Sequence, residues 1–298
     1  MKNTTNLENS VKIVTWNVNG IRSRIFNNKI CSQIPKKKNY YAEEGSSIIN
    51  LINETNADII CLQETRCDVE NGSYAILNNY HSYFNESKLT NARAPNRYSG
   101  TAVYSKIIPN KIEYSIPGYE DNEGRIIILY YNSYILVNVY VPNSGTNYEN
   151  RKLFNDAFLE YFKTINIPIV FCGDMNVAVD TYFDKTTVKE MPGIYKHELK
   201  FFNDITCTNT YGGMFKDTLD TSIDNTIYTW WNPMSKKILN IKTNVLTGMQ
   251  RYENKGWRID YILIRGFIHG KSKVLKHIGE EYSPHASDHA PVFAELIY

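Results

Sequence analysis

The stretch RIIILYYNSYILVNVYV, residues 125–141, holds two apolar runs separated by Asn132-Ser133. Runs rich in Ile, Val and Tyr on both sides of a short polar break read as a β-hairpin that reverses at Asn132-Ser133. The chain then changes period. Between residues 149 and 165, Leu153, Phe154, Ala157, Phe158, Tyr161 and Phe162 fall on one stripe, which predicts an amphipathic helix. IPIVFCGD, residues 167–174, follows as another strand. Hairpin, helical crossover and strand in succession predict a sheet that mixes both kinds of connection.

The same alternation extends both ways. Strand candidates are VKIVTW (11–16), ADIICLQE (57–64), YSGTAVYS (98–105), TIYTWW (226–231), RIDYILI (258–264) and PVFAELIY (291–298). Residues 46–55 form a second helix candidate, with Ile48, Ile49, Leu51 and Ile52 apolar. No repeat and no Pro/Gly/Ser-rich linker divides the chain. The expectation is an α/β fold with two packed sheets and helices outside, a single domain over 11–298 behind a polar tail, 1–10.

At 298 residues and 42% hydrophobic the chain can bury a large core, and its net charge of +2 excludes a polycation. Affinity for a polyanion must come from local patches. Five cysteines without a Cys-x-x-Cys pair suggest reduced thiols rather than a disulfide framework or a zinc site. The first ten residues lack a signal-peptide core and no run approaches a membrane span, so an intracellular, non-secreted protein is expected, in nucleus or cytoplasm. Abundant Asn, Ile, Lys and Tyr suggest an A+T-rich coding genome.

Polar residues gather where the strands stop. Asn17 and Asn19 end the first, Glu64 the second; Tyr140 and Asn143 flank the end of VNVYVPN; Asp174 and Asn176 end IVFCGDMN. Asp260 sits in GWRIDY, and Asp288-His289 precede the final strand. Each alone reads as a turn, a cap or a loop residue. Together they point to one shared site at the strand ends. Glu64 and Asp288 with asparagine oxygens make an all-oxygen donor set suited to Mg²⁺, whereas zinc favours His and Cys. A His paired with a buried Asp can stay charged and neutralise a phosphoryl oxygen, and another Asp can deprotonate water. The chemistry implied is metal-assisted phosphodiester hydrolysis. Residues 25–44 and 234–255 fit neither helix nor strand. They read as surface loops, or as DNA-facing loops in which lysines and tyrosines meet phosphates and bases.

Eight motifs in order, WNVNGIRSR, DIICLQETR, YSGTAVYS, EGRIII, YVPNSG, GDMNVA, GWRIDY and SDHAPV, make the chain resemble the exonuclease III / class II AP endonuclease family of abasic-site repair enzymes. The resemblance implies a four-layer α/β sandwich, two packed mixed sheets flanked by helices. It implies Mg²⁺, with Mn²⁺ able to substitute, held by Glu64, Asn19 and Asp288. Asp174 would activate water, Asn176 would hold the phosphate, and His289, oriented by Asp260, would contact the scissile group. Tyr140, Asn143 and Asn17 would complete the phosphate cradle. Trp230, Trp257 and Ile259 match the wall of the abasic pocket; Arg22, Tyr98 and Arg125 match positions near the DNA backbone, and Met234 one that wedges into the helix.

The implied activity is cleavage 5′ to an abasic site in double-stranded DNA by a monomer, leaving a 3′-hydroxyl and a 5′-deoxyribose phosphate. Blocked 3′ ends are a further implied substrate, through 3′-phosphodiesterase or 3′→5′ exonuclease action. The alternatives are mainly an exonuclease without lesion preference, or a silent DNA-binding protein on the same fold. The chain departs from the family at Arg66, where many relatives have lysine, and at Thr146, where animal-type enzymes carry an arginine that enters the duplex. Asn19 stands where those enzymes place an aspartate, which lowers the site's negative charge.

Overall fold

A computed structural model describes residues 9–26, 40–69, 75–89, 98–145, 148–187, 190–222, 224–234, 237–240, 245–279 and 287–298. Two six-stranded sheets dominate it. In chain order their strands are β1 (Ser10–Asn17), β2 (Ile59–Gln63), β3 (His81–Asn85), β4 (Thr101–Ser105), β5 (Lys111–Glu113) and β6 (Ile126–Tyr130). The second half adds β7 (Ile135–Tyr140), β8 (Ile169–Asp174), β9 (Lys216–Asp217), β10 (Asp260–Arg265), β11 (His269–Val274) and β12 (Val292–Ile297). One sheet runs β11-β12-β1-β2-β4-β3 and the other β9-β10-β8-β7-β6-β5.

Each sheet is mixed for the same reason. β1 pairs parallel with β2 through the helix α1 (Ser47–Thr55), and β7 pairs parallel with β8 through α2 (Tyr148–Lys163). Parallel neighbours need such a crossover; the other pairs in both sheets are antiparallel. The predicted hairpin forms as read, with Tyr131 N donating to Tyr134 O at 2.9 Å across the reversal.

Side-chain alternation sorts every central strand into two faces. Val11 and Ile13 of β1, Ile59 and Cys61 of β2, Leu136 of β7, Val170 and Cys172 of β8 and Ile262 and Ile264 of β10 meet in one core between the sheets. The opposite residues face helices: Val14, Trp16, Ile60 and Leu62 pack on Ile48 and Leu51 of α1. Phe171 joins Phe154, Phe158 and Phe162 of α2 and Phe201 of α3 (Lys196–Cys207). Helix, sheet, sheet, helix is a four-layer sandwich, as expected.

Three readings change. TIYTWW is not a strand; it contributes single bridges from Trp230 to Trp257 and to His289. Leu153 is 59% exposed, on the solvent side of the α2 stripe. Residues 234–255 are not wholly loop: Lys237–Asn240 pairs with Val245–Gly248, and the single-turn helix α4 (Met249–Tyr252) follows. Thr146, residues 1–8 and most of 25–44 lie outside the described residues. Among the described residues no helix is long and apolar enough to cross a membrane.

Candidate active site

The alternation that builds the inter-sheet core also builds the site. Two residues beyond Thr15, Asn138 and Cys172, and two before Ile262 on its antiparallel strand, stand Asn17, Tyr140, Asp174 and Asp260 on the same faces. Asp174 lies opposite Tyr140 on one neighbouring strand and Asp260 on the other. The layer below is polar and fully buried. Gln63 Nε2 donates to Asn138 Oδ1 (2.7 Å) and Thr15 Oγ1 (2.9 Å), joining the sheets directly under the site.

Asn17 is the tie between the two halves. Its Nδ2 donates to Glu64 Oε1 at 3.0 Å and to Asp174 Oδ2 at 2.9 Å, while its Oδ1 accepts the backbone N–H of Asn19 at 3.1 Å. A neutral amide suits this place because it satisfies two carboxylates without adding charge. Tyr140 OH also donates to Glu64 Oε1, at 2.8 Å, and Arg66 Nη2 approaches Oε2 at 2.6 Å. Burial works to raise the Glu64 pKa, but Arg66 and Asn17 outweigh it and the carboxyl is held below its ordinary value. Burial, then the Glu64 charge, raise the Tyr140 phenol well above its usual range, so it stays a donor.

His289 Nδ1 contacts Asp260 Oδ2 at 2.9 Å, and His289 Nε2 lies 3.9 Å from Asp174 Oδ2. Burial alone would discharge this imidazole; the Asp260 carboxylate prevails and raises its pKa to about 10. Asp174 moves the other way for a carboxylate. Burial, partly offset by the His289 charge, lifts it to about 7, where a general base for water is well matched. Thr229 Oγ1 accepts from both Ile259 N and Asp260 N at 3.1 Å and fixes the start of β10.

Atoms of Asp174, Asp260 and His289 lie within 4.8 Å of one another, close enough to hold a cation. They are occupied with each other, and a charged imidazole repels a cation. Glu64 and Asp288 are the better donors. Each oxygen of Asp288 accepts one bond, from Asn19 Nδ2 (2.9 Å) and from Trp230 Nε1 (3.1 Å), leaving lone pairs toward the cavity. Oxygen ligands with few protein donors fit a hard divalent cation.

These groups share a cavity of about 260 Å³ with an apolar wall. Glu64, Tyr140, Asn143, Asp174, Asn176, Asp288 and His289 line one part; Trp230, Trp257, Ile259, Pro192 and Gly193 line the rest. The indoles lie 5.4 Å apart at 63°. Glycine is required at two places here. A Cβ on Gly193 would sit 2.8 Å from the Trp257 ring, and one on Gly173 would be 1.9 Å from Val139 O.

The remaining expected residues do not line this cavity. Arg125 is buried: its side chain is 3% exposed and lies under the Tyr140 ring, guanidinium carbon to ring centre 4.4 Å. It donates to Glu123 and to Tyr140 O, so it supports Tyr140 from behind. Tyr98, 43% exposed, lies at the edge of the same cluster. Arg22 is half-buried in the turn Ile21–Arg24, and Met234 is 90% exposed. Sequence reasoning missed Thr229, Gln63, Pro192 and Gly193. Ser287 was missed too, although its place beside Asp288-His289 was a signal: its hydroxyl donates to Asn17 O at 2.6 Å.

Fold and site together define a hydrolytic active site built for a phosphate ester beside a cation. The endonuclease/exonuclease/phosphatase family model matches residues 14–289, and the chain belongs to that family. Nucleases of this family depend on divalent metal. Recombination repair protein 1 of Drosophila melanogaster is 31% identical over 96% of this chain, which spans 37% of that protein. An exodeoxyribonuclease of Bacillus subtilis is 29% identical (96% of this chain, 99% of that one), and a DNA-(apurinic or apyrimidinic site) endonuclease of Dictyostelium discoideum is 27% identical (96% and 70%). The solved AP endonuclease of Archaeoglobus fulgidus superposes with a TM-score of 0.66 at 21% identity, covering 95% of this chain and 98% of its own.

Proposed function

We propose that this protein is a Mg²⁺-dependent AP endonuclease that hydrolyses the phosphodiester 5′ to an abasic site in duplex DNA, acting as a monomer. One observation carries the reading: the phosphodiesterase cluster and the Trp230–Trp257–Ile259 wall line the same small cavity. At about 260 Å³ it is smaller than the roughly 300–1,000 Å³ of typical ligand pockets. A sugar without its base suits that space, and a missing base lowers the cost of extrusion. The names of the Dictyostelium and Bacillus relatives support endonuclease and exonuclease action respectively, so trimming of blocked 3′ ends belongs to the proposal.

Glu64 and Asp288, with Asn19 alongside, would hold Mg²⁺, which supplies charge to the phosphate oxygens. Asp174 takes the proton of the attacking water as its oxygen bonds to phosphorus, the bond to the 3′-oxygen breaks, and the departing 3′-oxygen takes a proton from solvent water to become the 3′-hydroxyl. The charged His289 faces the negative charge that develops, kept protonated by Asp260. Asn17 and Tyr140 hold Glu64 in place, and Asn143 donates to Asn176 Oδ1 at 3.3 Å, orienting the amide pair at the phosphate end.

The decisive test is a duplex with a single abasic-site analogue beside an undamaged duplex, each with Mg²⁺ and with EDTA. Mg²⁺-dependent incision of the first is expected. Equal cutting of both would favour the exonuclease alternative, and cutting in EDTA would overturn the metal assignment.

Asn19→Asp probes the charge balance. It replaces the donor to Asp288 Oδ1 with a like charge, so metal-free stability should fall by about 1–2 kcal/mol. Divalent-cation affinity should rise about three- to tenfold by calorimetry. Unchanged affinity would remove Asn19 from the cation's surroundings.

A further inference from the structure

Arg151 is a buried cation to which the mechanism above assigns no task. It stands in the first turns of α2 with its side chain fully buried, and the equally buried Glu198 of α3 lies beside it. Its Nη1 donates to Pro142 O at 2.9 Å and to Asn176 O at 3.1 Å, and its Nε donates to Asn155 Oδ1 at 3.0 Å. Pro142 precedes Asn143 in the loop after β7; Asn176 belongs to the loop after β8. One guanidinium thus ties the backbones of the two loops that carry the cavity's asparagines.

The ion pair is not a direct hydrogen bond: Arg151 Nη1 and Glu198 Oε1 are 3.8 Å apart. Glu198 instead accepts Ser144 Oγ at 2.5 Å and Tyr195 N at 2.9 Å, so it too is committed to the loop after β7 and to the start of α3. A buried ion pair is a weak device for stability, and apolar side chains of similar volume commonly serve as well. Both charges here are spent on holding loops.

Asn176 needs such holding. Its φ of +45° lies in the left-handed region, which persists where the surroundings over-determine it. Its N–H donates to Asp174 Oδ1 at 3.0 Å, its Nδ2 to Val141 O at 2.8 Å, and its carbonyl accepts from Arg151. Without the guanidinium the carbonyl side of that residue is released, and its amide turns relative to Asp174 and Asn143.

We propose that Arg151 is a positioning residue for the phosphodiester cleavage, acting through Asn176 by clamping the loops after β7 and β8; this rests on the function proposed above. The test is a double-mutant cycle in single-turnover cleavage of the abasic duplex with Mg²⁺, using Arg151→Met, Arg151→Lys, Asn176→Ala and the combinations. Arg151→Met should slow cleavage about 10- to 100-fold, the scale of a small misplacement of reacting groups, with DNA affinity in EDTA changed less than about threefold. Arg151→Lys should restore part of the rate, since an ammonium serves the carbonyls without the planar fork. The double variant should be no slower than Asn176→Ala alone. Effects that multiply would overturn the assignment, because they would show that Arg151 acts elsewhere. If Arg151→Met fails to fold by circular dichroism, Arg151→Lys and its double variant carry the same cycle. A wild-type protein that cleaves no duplex would sink the proposed function and this role with it, whereas multiplying effects in an active enzyme sink this role alone.

Discussion

Asp174→Asn is expected to slow single-turnover cleavage by about 10²–10⁴-fold, roughly 3–5 kcal/mol of barrier, with little change in DNA affinity. The substitution keeps shape and removes the proton acceptor. Both oxygens of Asp174 now receive donors, Asn176 N on Oδ1 and Asn17 Nδ2 on Oδ2, so an amide also sets a donor against a donor on one side. The pH profile gives an independent reading. A base must be unprotonated, so the wild-type rate rises with pH through the Asp174 pKa. That pKa is about 7 by burial, and a cation at Glu64 and Asp288 moves it lower. His289, raised to about 10, stays charged throughout this range and adds no limb of its own. The acid limb should therefore lie at or below pH 7 in the wild type and disappear in Asp174→Asn. A variant within threefold of wild type that keeps the limb would show that another group takes the proton.

The site was legible because its residues obey the period of the strands that carry them. Asp174, Tyr140, Asp260 and Asn17 each continue the inward face of an apolar strand by one polar step, and such a pattern can be read without coordinates. The hairpin at Asn132-Ser133 and the α2 stripe were legible on the same ground. Where local pattern and tertiary role part company, the reading fails. Trp230 sits in a run of β-forming residues, but its indole N–H is committed to Asp288 and only single bridges form. Leu153 repeats at helical spacing yet lies just past the edge of the buried arc. Arg125 and Arg151 show the limit most plainly. A lone arginine in a sequence looks like a surface charge, and only the fold shows that one props Tyr140 and the other spans two loops. The polar layer of Thr15, Gln63 and Asn138 was invisible for a related reason: its three members come from three strands and meet only across the sheets.

Glu64→Ala is expected to lower cleavage by about 10²–10³-fold at a Mg²⁺ concentration that saturates the wild type, with part of the rate returning as Mg²⁺ is raised. The carboxylate is anchored on both oxygens, by Asn17 and Tyr140 on one and Arg66 on the other, and these bonds fix where its charge lies. Alanine removes the carboxylate proposed to hold the cation and leaves the Arg66 charge unopposed at the rim. Two readouts should then separate. Cation affinity by calorimetry falls, because a carboxylate is replaced by a methyl group and a positive charge remains. DNA affinity in EDTA holds or rises, because the cavity has lost a negative charge that repels phosphate. Glu64→Gln isolates the charge, since it keeps the side chain's length and an oxygen for Asn17; it should fall between wild type and Glu64→Ala in cation affinity. If both variants bound the cation as the wild type does while cleaving slowly, Glu64 would be a support for Tyr140 and Asn17, and Asp288 with Asn19 would have to hold the ion without it.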